Sequence, residues 1–461
     1  MNKNPSVNGI DDSADRSISN HRSPSPAPPD ATEPSSIAEQ VSVAPRPINV
    51  PALQRMVALQ HQGPLPWVQL RNAVYNNIVF RKMVGRIAPE AANGGLVRVY
   101  DRDGAIFGTG LLNTQSQIAL RMLCHNTQSV DEEFLPTRLQ NAVELRHQTL
   151  QLAKIATAYR IVHAEGDGLP GLIVDRLGDY AVVELFALAM YLRRDRIAQT
   201  LLRLLNLKEV LIRADEKIQN AEGFRLENAF GPAGRHANLD APTRLSTIIT
   251  ENTLRFQVDL TNGHKTGFFC DQRDNRLALT HFCHNAHVLD VCCYTGGFGI
   301  YAAKLGQASN VTAVDLDEES LALARRNANL NQIAPAVYQM VHADAFAYLR
   351  QMKQNIRSYD VLVLDPPKLV PTRLDFAEGR QKYFDLNKLA LALVRPGGLL
   401  LTCSCSGLVD IAEFTSIIRG AARSAQRRVQ ILNQTGPGMD HPVATDYLEG
   451  SYLKCLWCRV F

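Results

Sequence analysis

The sequence predicts a multidomain protein that combines a β-barrel, an α+β unit and an α/β unit. The chain has 461 residues, which is about three times a working length of ~150 residues per domain. Short strand-like runs dominate the region that follows residue 64, and strands alternate with helical segments from residue 288 onward. That alternation is typical of a parallel sheet covered by helices.

The composition is that of a globular protein. Hydrophobic residues make up 46% of the chain and charged residues 20%, and the mean hydropathy is -0.13. These values argue against membrane spans. The net charge of +4 allows a local basic groove for RNA but excludes binding of polyanions over the whole surface. Nine cysteines, an odd number, fit reduced thiols, so we expect a cytoplasmic protein.

Residues 1–60 are predicted to be a disordered tail rich in serine and proline. The first fifty residues contain eight prolines and nine serines but no Phe, Trp or Tyr. Such a segment cannot bury enough apolar surface to offset the entropy lost on ordering. A leader without a binding function is favoured over a segment that binds RNA or a protein partner.

Residues 64–130 are predicted to form a small β-barrel. Leu96–Tyr100 and residues 105–108 flank Asp101-Arg102-Asp103-Gly104, a sequence typical of a hairpin turn, and Ile118–Leu123 is a third strand. A helical stretch follows from Glu132 to about Ala158. Spacing alone does not distinguish an RNA-binding barrel from a structural one.

Residues 155–262 are predicted to form a middle α+β domain. Strand patterns surround the turn sequence Glu165-Gly166-Asp167-Gly168, and a further strand and an amphipathic helix follow. Glu165 and Asp167 could be ligand groups, but acids that shape a turn are the more common case.

Residues 263–461 are predicted to form a Rossmann-like α/β domain. The strand Val288–Cys292 leads through Cys293-Tyr294-Thr295-Gly296-Gly297-Phe298-Gly299 into a helical segment. Glycines let the backbone approach a ligand, and a helix N-terminus presents unpaired N–H groups. By itself the glycine pattern is weak, since a structural turn has similar glycines.

A carboxylate at the end of the next strand strengthens the prediction of a cofactor site. Asp315 follows Asp290 by 25 positions and can accept both hydroxyls of an adenosine ribose. Because the full G-x-G-x-x-G spacing is absent, S-adenosylmethionine is favoured over NAD. Asp344 could accept from the adenine amino group or cap a helix. The predicted cofactor-binding residues are Asp290, Tyr294, Thr295, Gly296, Gly297, Phe298, Asp315, Asp344 and Asp365.

Two further strands carry the groups that we predict to be catalytic. One ends in Asp365-Pro366-Pro367-Lys368, where the prolines fix the carboxylate and the ammonium at the mouth of the sheet. The other ends in Thr402-Cys403-Ser404-Cys405-Ser406. Alternation along the strand puts both thiols on one face, and either could be a nucleophile. Packing under the edge of the sheet is the structural alternative for both cysteines.

This combination of residues suits methylation of cytosine at carbon-5. That carbon is too weak a nucleophile to take a methyl group until a thiolate adds at carbon-6. Asp365 would hold or protonate the base near its ring nitrogen.

The ordered motifs resemble the large-subunit ribosomal RNA cytosine-C5 methyltransferases of the RlmI type. The resemblance is carried by the segment from Gly263 to Arg273, the glycine loop, Asp365-Pro366-Pro367-Lys368 and the Cys403/Cys405 motif. It implies that the barrel is an RNA-binding PUA domain and that the middle domain and the Rossmann-like domain complete the enzyme. Departures at His264 and Cys270 make a cofactor role for the first motif less secure. The family motif can be aligned on either thiol; we prefer Cys405, with Cys403 as the alternative.

Two rival functions and several features of the assembly are left open. The same domain could methylate a ring or exocyclic nitrogen of guanine in RNA without a thiol, or the chain could be a non-catalytic RNA-binding or assembly factor. The Cys455/Cys458 spacing resembles half a zinc site, but no second pair completes it, so a core strand and no metal are predicted. We expect RNA as the partner and no membrane, with a homodimer left open.

Overall fold

The computed structural model describes most of the chain beyond the N-terminal segment. The described residues are 56, 59–61, 63–73, 75–128, 130–226, 245–261 and 266–461. The predicted tail up to residue 55 and residues 263–265 of the first family motif lie outside this set. Within these ranges, every helix is too short or too polar to span a lipid bilayer.

A six-stranded sheet forms the N-terminal part of the described chain. Its strands are β1 (Trp67–Leu70), β2 (Ile78–Phe80), β3 (Val84–Ile87), β4 (Leu96–Tyr100), β5 (Ile106–Leu112) and β6 (Ile118–Cys124). Their order is β2-β6-β5-β4-β1-β3, with β1 and β4 parallel and the other neighbours antiparallel. The three strands predicted from the sequence are confirmed as β4, β5 and β6.

Strand β5 extends beyond its predicted end because glycine lets it approach β6. A Cβ atom on Gly108 would lie 2.0 Å from the carbonyl oxygen of Cys124. The predicted hairpin turn between β4 and β5 is confirmed: the Asp101 carboxylate accepts from the backbone N–H groups of Asp103 and Ala105, and Gly104 has a φ of +85°.

A four-stranded sheet forms the centre of the chain. Its strands are β7 (Ala158–His163), β8 (Leu172–Leu177), β9 (Tyr180–Leu185) and β10 (Glu209–Arg213), in the order β10-β9-β8-β7. The helices around it are α1 (Phe134–Glu144), α2 (Leu188–Leu192), α3 (Arg194–Leu205) and α4 (Glu216–Glu222). Apolar side chains of α1 and α3 share one buried core with the sheet.

The helix predicted from Glu132 to about Ala158 is wrong at its C-terminal end. After α1 the chain makes a π-helical turn over Leu145–Thr149 and then joins a β-structure. Ala156 bridges to Glu251, and the Thr157 N–H donates to the carbonyl of Thr250. These long-range partners, which lie in β11 (Ser246–Glu251), override the local helical pattern.

Strand β11 pairs with β12 (Leu254–Asp259) as an antiparallel hairpin. The sequence predicted β12 but not β11. Apolar residues of the hairpin, including Ile249 and Phe256, share a core with residues of the middle sheet and of the C-terminal domain. The hairpin therefore connects these two parts of the chain.

A seven-stranded sheet forms the C-terminal domain. Its strands are β13 (His287–Val291), β14 (Asn310–Asp315), β15 (Tyr338–His342), β16 (Tyr359–Leu364), β17 (Val394–Ser404), β18 (Val429–Thr435) and β19 (Lys454–Val460). The order is β15-β14-β13-β16-β17-β19-β18. Strands β13 to β17 are parallel, and β19 runs antiparallel to both β17 and β18.

Six helices accompany this sheet: α5 (Arg273–Leu279), α6 (Gly297–Lys304), α7 (Glu318–Leu330), α8 (Ala345–Gln354), α9 (Phe376–Leu393) and α10 (Ile411–Ser424). The predicted parallel α/β arrangement is confirmed. Cys455 and Cys458 lie in β19, which is the core strand that the sequence predicted. Within the described ranges, no cluster of three or more His, Cys, Asp or Glu side chains is arranged to hold a metal ion.

A buried carboxylate joins the connection between β18 and β19 to the middle domain. The side chain of Asp440 is fully buried; it accepts from the Arg273 guanidinium at 3.0 and 3.1 Å and from the backbone N–H of Arg160 at 3.0 Å. Burial alone would raise the pKa of Asp440, but His441 and Arg273 outweigh it and hold that pKa well below its usual range. Asp440 is therefore a charged contact between the two domains.

We predict that Asp440→Asn lowers the free energy of unfolding at neutral pH by about 3–5 kcal/mol, because the buried Arg273 guanidinium loses its buried carboxylate partner. Asp274→Asn is the matched control: it removes the half-exposed partner of the same arginine and should cost less than about 1 kcal/mol. Urea unfolding monitored by circular dichroism measures both values.

The sign of the pH dependence follows from the depressed folded-state pKa. The contribution of Asp440 is present above the unfolded pKa of about 4 and is lost as the pH falls below it. This role would be contradicted if the two variants lost equal amounts of unfolding free energy. It would also be contradicted if the difference in unfolding free energy between the wild type and Asp440→Asn did not decrease in acid.

Candidate active site

The carboxyl ends of the parallel strands bring the predicted site residues to one edge of the sheet. Asp290 lies near the end of β13, Asp315 is the last residue of β14, and Asp365 directly follows β16. Cys405 directly follows β17. In open α/β sheets, ligands bind at this edge.

The loop between β13 and α6 has a strained backbone that its contacts stabilise. Cys292, Tyr294 and Gly296 all have positive φ angles, of 61°, 49° and 83°. The Cys293 N–H donates to the carbonyl of Val314 at 3.1 Å, and the Tyr294 N–H donates to the Asp315 carboxylate at 2.8 Å. Residues held in such sparsely populated conformations cluster at ligand sites.

Asp290 presents a buried acceptor beside this loop. One carboxylate oxygen accepts from the Gly299 N–H at 2.8 Å, while the other is buried without a hydrogen-bond partner among the described residues. The pKa of Asp290 is raised to about 7, mainly by burial; the Gly299 hydrogen bond opposes this rise, and the carboxylates of Asp365 and Asp315 add to it. An orphaned acceptor of this kind fits a ligand that donates hydrogen bonds or carries positive charge.

Asp315 is held in place by backbone donors. One oxygen accepts from the Tyr294 N–H at 2.8 Å and the other from the Asp317 N–H at 2.9 Å. Since each carboxylate oxygen can accept two hydrogen bonds, the group retains capacity for ribose hydroxyls. The half-buried position of Asp315 leaves it accessible.

Asp344 caps a helix, which was the alternative raised from the sequence. It is exposed, and its carboxylate accepts from the backbone N–H of Ala347 at 2.9 Å at the start of α8. Contact with an adenine amino group stays a prediction.

The remaining predicted cofactor residues shape the loop through their backbone or their packing. Thr295 is buried, and its carbonyl accepts from the Asn327 side chain at 3.2 Å. A Cβ on Gly297 would lie 3.0 Å from Cδ of Arg276. The Phe298 ring packs in the hydrophobic core, so its backbone is the part that remains for a cofactor.

Asp365 is oriented by a residue from a distant segment. The Gln272 amide donates to the Asp365 carboxylate at 3.0 Å, and the Gln272 carbonyl oxygen accepts from the Asn275 amide at 2.7 Å. This chain of hydrogen bonds fixes both the amide and the carboxylate. Lys368, three residues beyond Asp365, is exposed at the same mouth.

The two candidate thiols occupy different environments. Cys403 is fully buried and lies opposite Cys455 in the β17–β19 pair. Burial, followed by a hydrogen bond with Cys455, raises the pKa of Cys403 well above its usual value. Cys405 is half-buried and packs on the same core as Cys403, which agrees with the alternation predicted from the sequence.

Cys405 is positioned by its two serine neighbours, both fully buried. The Ser404 hydroxyl donates to the Tyr383 hydroxyl at 3.0 Å, and the Ser406 hydroxyl accepts from the Val370 N–H at 3.1 Å. The loops that follow β16 and β17 are thereby tied together, and the backbone of Cys405 is fixed between its two anchored neighbours.

The sequence did not single out two residues that contact this site. Gln272 lies within the first family motif, and Lys454 lies outside all of the motifs. Lys454 begins β19 opposite Ser404, and its ammonium donates to the Ser406 carbonyl at 2.6 Å. The available indication is a lysine directly before the apolar run Cys455–Cys458.

Comparisons with known proteins agree with this architecture. A family of S-adenosylmethionine-dependent methyltransferases matches residues 223–428, and a family of PUA-like domains matches residues 76–125. The chain is 37% identical to ribosomal RNA large subunit methyltransferase I of Aeromonas hydrophila, over 83% of this chain and 94% of that protein. The protein of the same name from Escherichia coli is 36% identical over the same shares of the two chains.

Two solved structures share the fold. A methyltransferase complexed with SAH has a TM-score of 0.69 at 22% identity, covering 83% of this chain and 95% of its own. A SAM-dependent methyltransferase from Streptococcus mutans has a TM-score of 0.66 at 22% identity, and the match covers 80% of this chain and 92% of the Streptococcus chain.

These matches confirm the predicted Rossmann-like methyltransferase domain, the PUA-like domain and S-adenosylmethionine as the cofactor. The orphaned acceptor of Asp290 and the oriented Asp315 fit that cofactor, which carries an ammonium group and a ribose. By its sequence, its domains and its fold, the chain belongs to the ribosomal RNA large subunit methyltransferase I family.

Proposed function

We propose that this protein methylates carbon-5 of a cytosine in large-subunit ribosomal RNA and that Cys405 is the nucleophile. The observation that carries the proposal is the half-buried Cys405 at the end of β17, beside the strand that ends in Asp365. The names of the relatives support ribosomal RNA as the substrate, and the PUA-like domain supports RNA as the partner.

Carboxylates at the ends of the strands around the glycine loop would hold the cofactor. Asp315 would accept the ribose hydroxyls, Asp290 would accept from the ammonium group, and the exposed Asp344 would accept from the adenine amino group. When bound, S-adenosylmethionine supplies a methyl group on a positively charged sulfur. The carboxylates at this edge suit a cationic ligand.

Cys405 and Asp365 would act together on the base. The Cys405 thiolate forms a bond to carbon-6, the electrons of the C5–C6 double bond move through C4 to the ring nitrogen N3, and Asp365 donates a proton there. Carbon-5 is then nucleophilic enough to accept the methyl group. Water takes the carbon-5 proton, Asp365 takes back the N3 proton, and cleavage of the S–C6 bond restores the aromatic ring and the thiolate.

The surroundings of the two thiols favour Cys405 over Cys403. Cys403 has no exposed surface and lies opposite Cys455, so a base would have to displace packed strands to reach it. Cys405 lies beyond the last residue of β17. Lys368 is exposed near this mouth and would contact a phosphate or the base.

We predict that Asp315→Asn weakens S-adenosylmethionine binding by roughly 10- to 100-fold, because the amide loses the charge and presents an N–H group to one of the two backbone donors. Isothermal titration calorimetry measures the affinity. Asp179→Asn, which removes an exposed carboxylate paired with Lys208 in the middle domain, is the control and should bind normally. Unchanged affinity in Asp315→Asn would remove this residue from the cofactor site.

We predict that Cys405→Ala abolishes 5-methylcytosine formation. Mass spectrometry of ribosomal RNA nucleosides from a strain that lacks the gene should show one 5-methylcytosine restored by the wild-type protein and none restored by Cys405→Ala. Cys458→Ala, which truncates a buried thiol elsewhere in β19, should restore the modification.

Each alternative gives a different result in this experiment. If Cys405→Ala restored 5-methylcytosine and Cys403→Ala did not, the nucleophile would be Cys403. Restoration by both variants, with the methyl group on a guanine nitrogen, would contradict the proposed reaction.

A further inference from the structure

Lys454 is a buried ammonium group without a carboxylate partner. Its side chain is 6% exposed, and its ammonium donates to the carbonyls of Ser406 at 2.6 Å and Tyr452 at 2.8 Å. Within the described part of the chain, no carboxylate oxygen lies within 4 Å of it. Buried charges in proteins are usually paired, so an unpaired ammonium here requires an explanation.

Cys405 lies between the two points at which Lys454 contacts β17 and its continuation. The backbone of Lys454 pairs with Ser404, and its ammonium bonds to the carbonyl of Ser406. The lysine thus extends along the chain past Cys405 and places its charge at the carbonyl of the next residue, Ser406. Ser404 and Ser406 are themselves anchored to Tyr383 and Val370, so this arrangement is rigid.

The rest of the site disfavours a thiolate. Burial and then the carboxylates of Asp315, Asp365 and Asp290 raise the pKa of the Cys292 thiol, which lies in the cofactor loop. Asp365 also contributes to the raised pKa of Cys403. The carboxylates that suit a cationic cofactor therefore oppose an anionic sulfur at the same edge, and a nucleophilic cysteine there needs a nearby cation.

We propose that Lys454 is the counterion that holds Cys405 as a thiolate. It acts through Cys405 and is therefore a positioning and activating residue, and its catalytic importance rests on the function proposed above. The thiol proton leaves to water, the ammonium stabilises the remaining charge, and the same ammonium receives the thiolate again when the S–C6 bond breaks.

The charges around Lys454 are consistent with this pairing. Burial lowers the pKa of Lys454 to about 8, while Cys405, Asp410 and Cys455 raise it and Lys368 lowers it. Cys405 is the largest of the favourable partners. Asp410 also favours the charged form of Lys454, but its carboxylate caps α10, where it accepts from the Glu413 N–H.

We predict that Lys454→Gln slows alkylation of Cys405 by iodoacetamide about tenfold at pH 7 and moves the rate profile to higher pH. The rate is measured by mass spectrometry of the Cys405 peptide from the full-length protein between pH 6 and 10. Glutamine can still donate to one of the backbone carbonyls, so the loop keeps part of its hydrogen bonding. Lys454→Arg keeps the charge and should stay close to the wild-type profile.

Lys353→Gln, which neutralises an exposed lysine on α8, is the matched control and should alkylate like the wild type. Retained binding of S-adenosylmethionine by calorimetry verifies that each variant is folded. A Lys454→Gln profile that coincides with the wild-type profile would overturn the proposal.

The alkylation experiment does not depend on the identity of the methylated base. If Cys405→Ala retained methyl transfer, the proposed reaction would fail, yet slower alkylation of Cys405 in Lys454→Gln would still support the ion pair. If the reaction is correct, the methylation rate of Lys454→Gln should fall about tenfold at pH 7 and recover as the pH rises. A folded Lys454→Gln protein with slow alkylation but a wild-type pH–rate profile would overturn the activating role.

Discussion

The pairing of β17 with β16 on one side and with β19 on the other controls the position of every group in the proposed reaction. The parallel pair aligns the ends of two strands, so Asp365 and Cys405 emerge at the same edge. The antiparallel pair brings Cys455 against Cys403 and Lys454 against Ser404. One thiol is thereby sealed in the core, while the other lies at the mouth beside a buried ammonium. A shift of one residue in either register would remove these pairings, since side chains alternate between the two faces of a strand.

Charge is distributed unevenly along this edge, in a way that suits two different reactants. The cofactor loop lies beside Asp290, Asp315 and Asp365, and these carboxylates favour a ligand that carries a sulfonium and an ammonium group. The pKa of Asp290 is raised to about 7, chiefly by burial and to a smaller extent by the neighbouring carboxylates. At the end of β17 lies the ammonium of Lys454. With the proposed ion pair, the sheet would separate a region that favours a cation from a region that favours a thiolate, and methyl transfer would take place between them.

Much of the site could be predicted from the sequence because each residue of it ends a short apolar strand. Asp315 and Asp365 were found in this way, and so was the pair of thiols. The difference between Cys403 and Cys405 could not be predicted, because it depends on Cys455, about 50 residues away in the chain. Gln272 and Lys454 were missed for the same reason. Strand β18 was missed because it is an edge strand with mostly exposed side chains, and β11 because its alternating pattern is weak. The helix predicted after residue 132 is too long, because residues near Ala156 pair with β11 instead of continuing the helix.

The central claim is that the sulfur of Cys405 bonds to carbon-6 of the cytosine, and trapping that bond tests it most directly. In an RNA that carries 5-fluorocytosine, carbon-5 has no proton to lose after methyl transfer, so the thiolate cannot leave and the adduct should persist. Mass spectrometry of the digested complex would then show a methylated fluorocytosine attached to the peptide that contains Cys405. An adduct on Cys403, or the absence of any adduct while the natural RNA is methylated under the same conditions, would contradict the account.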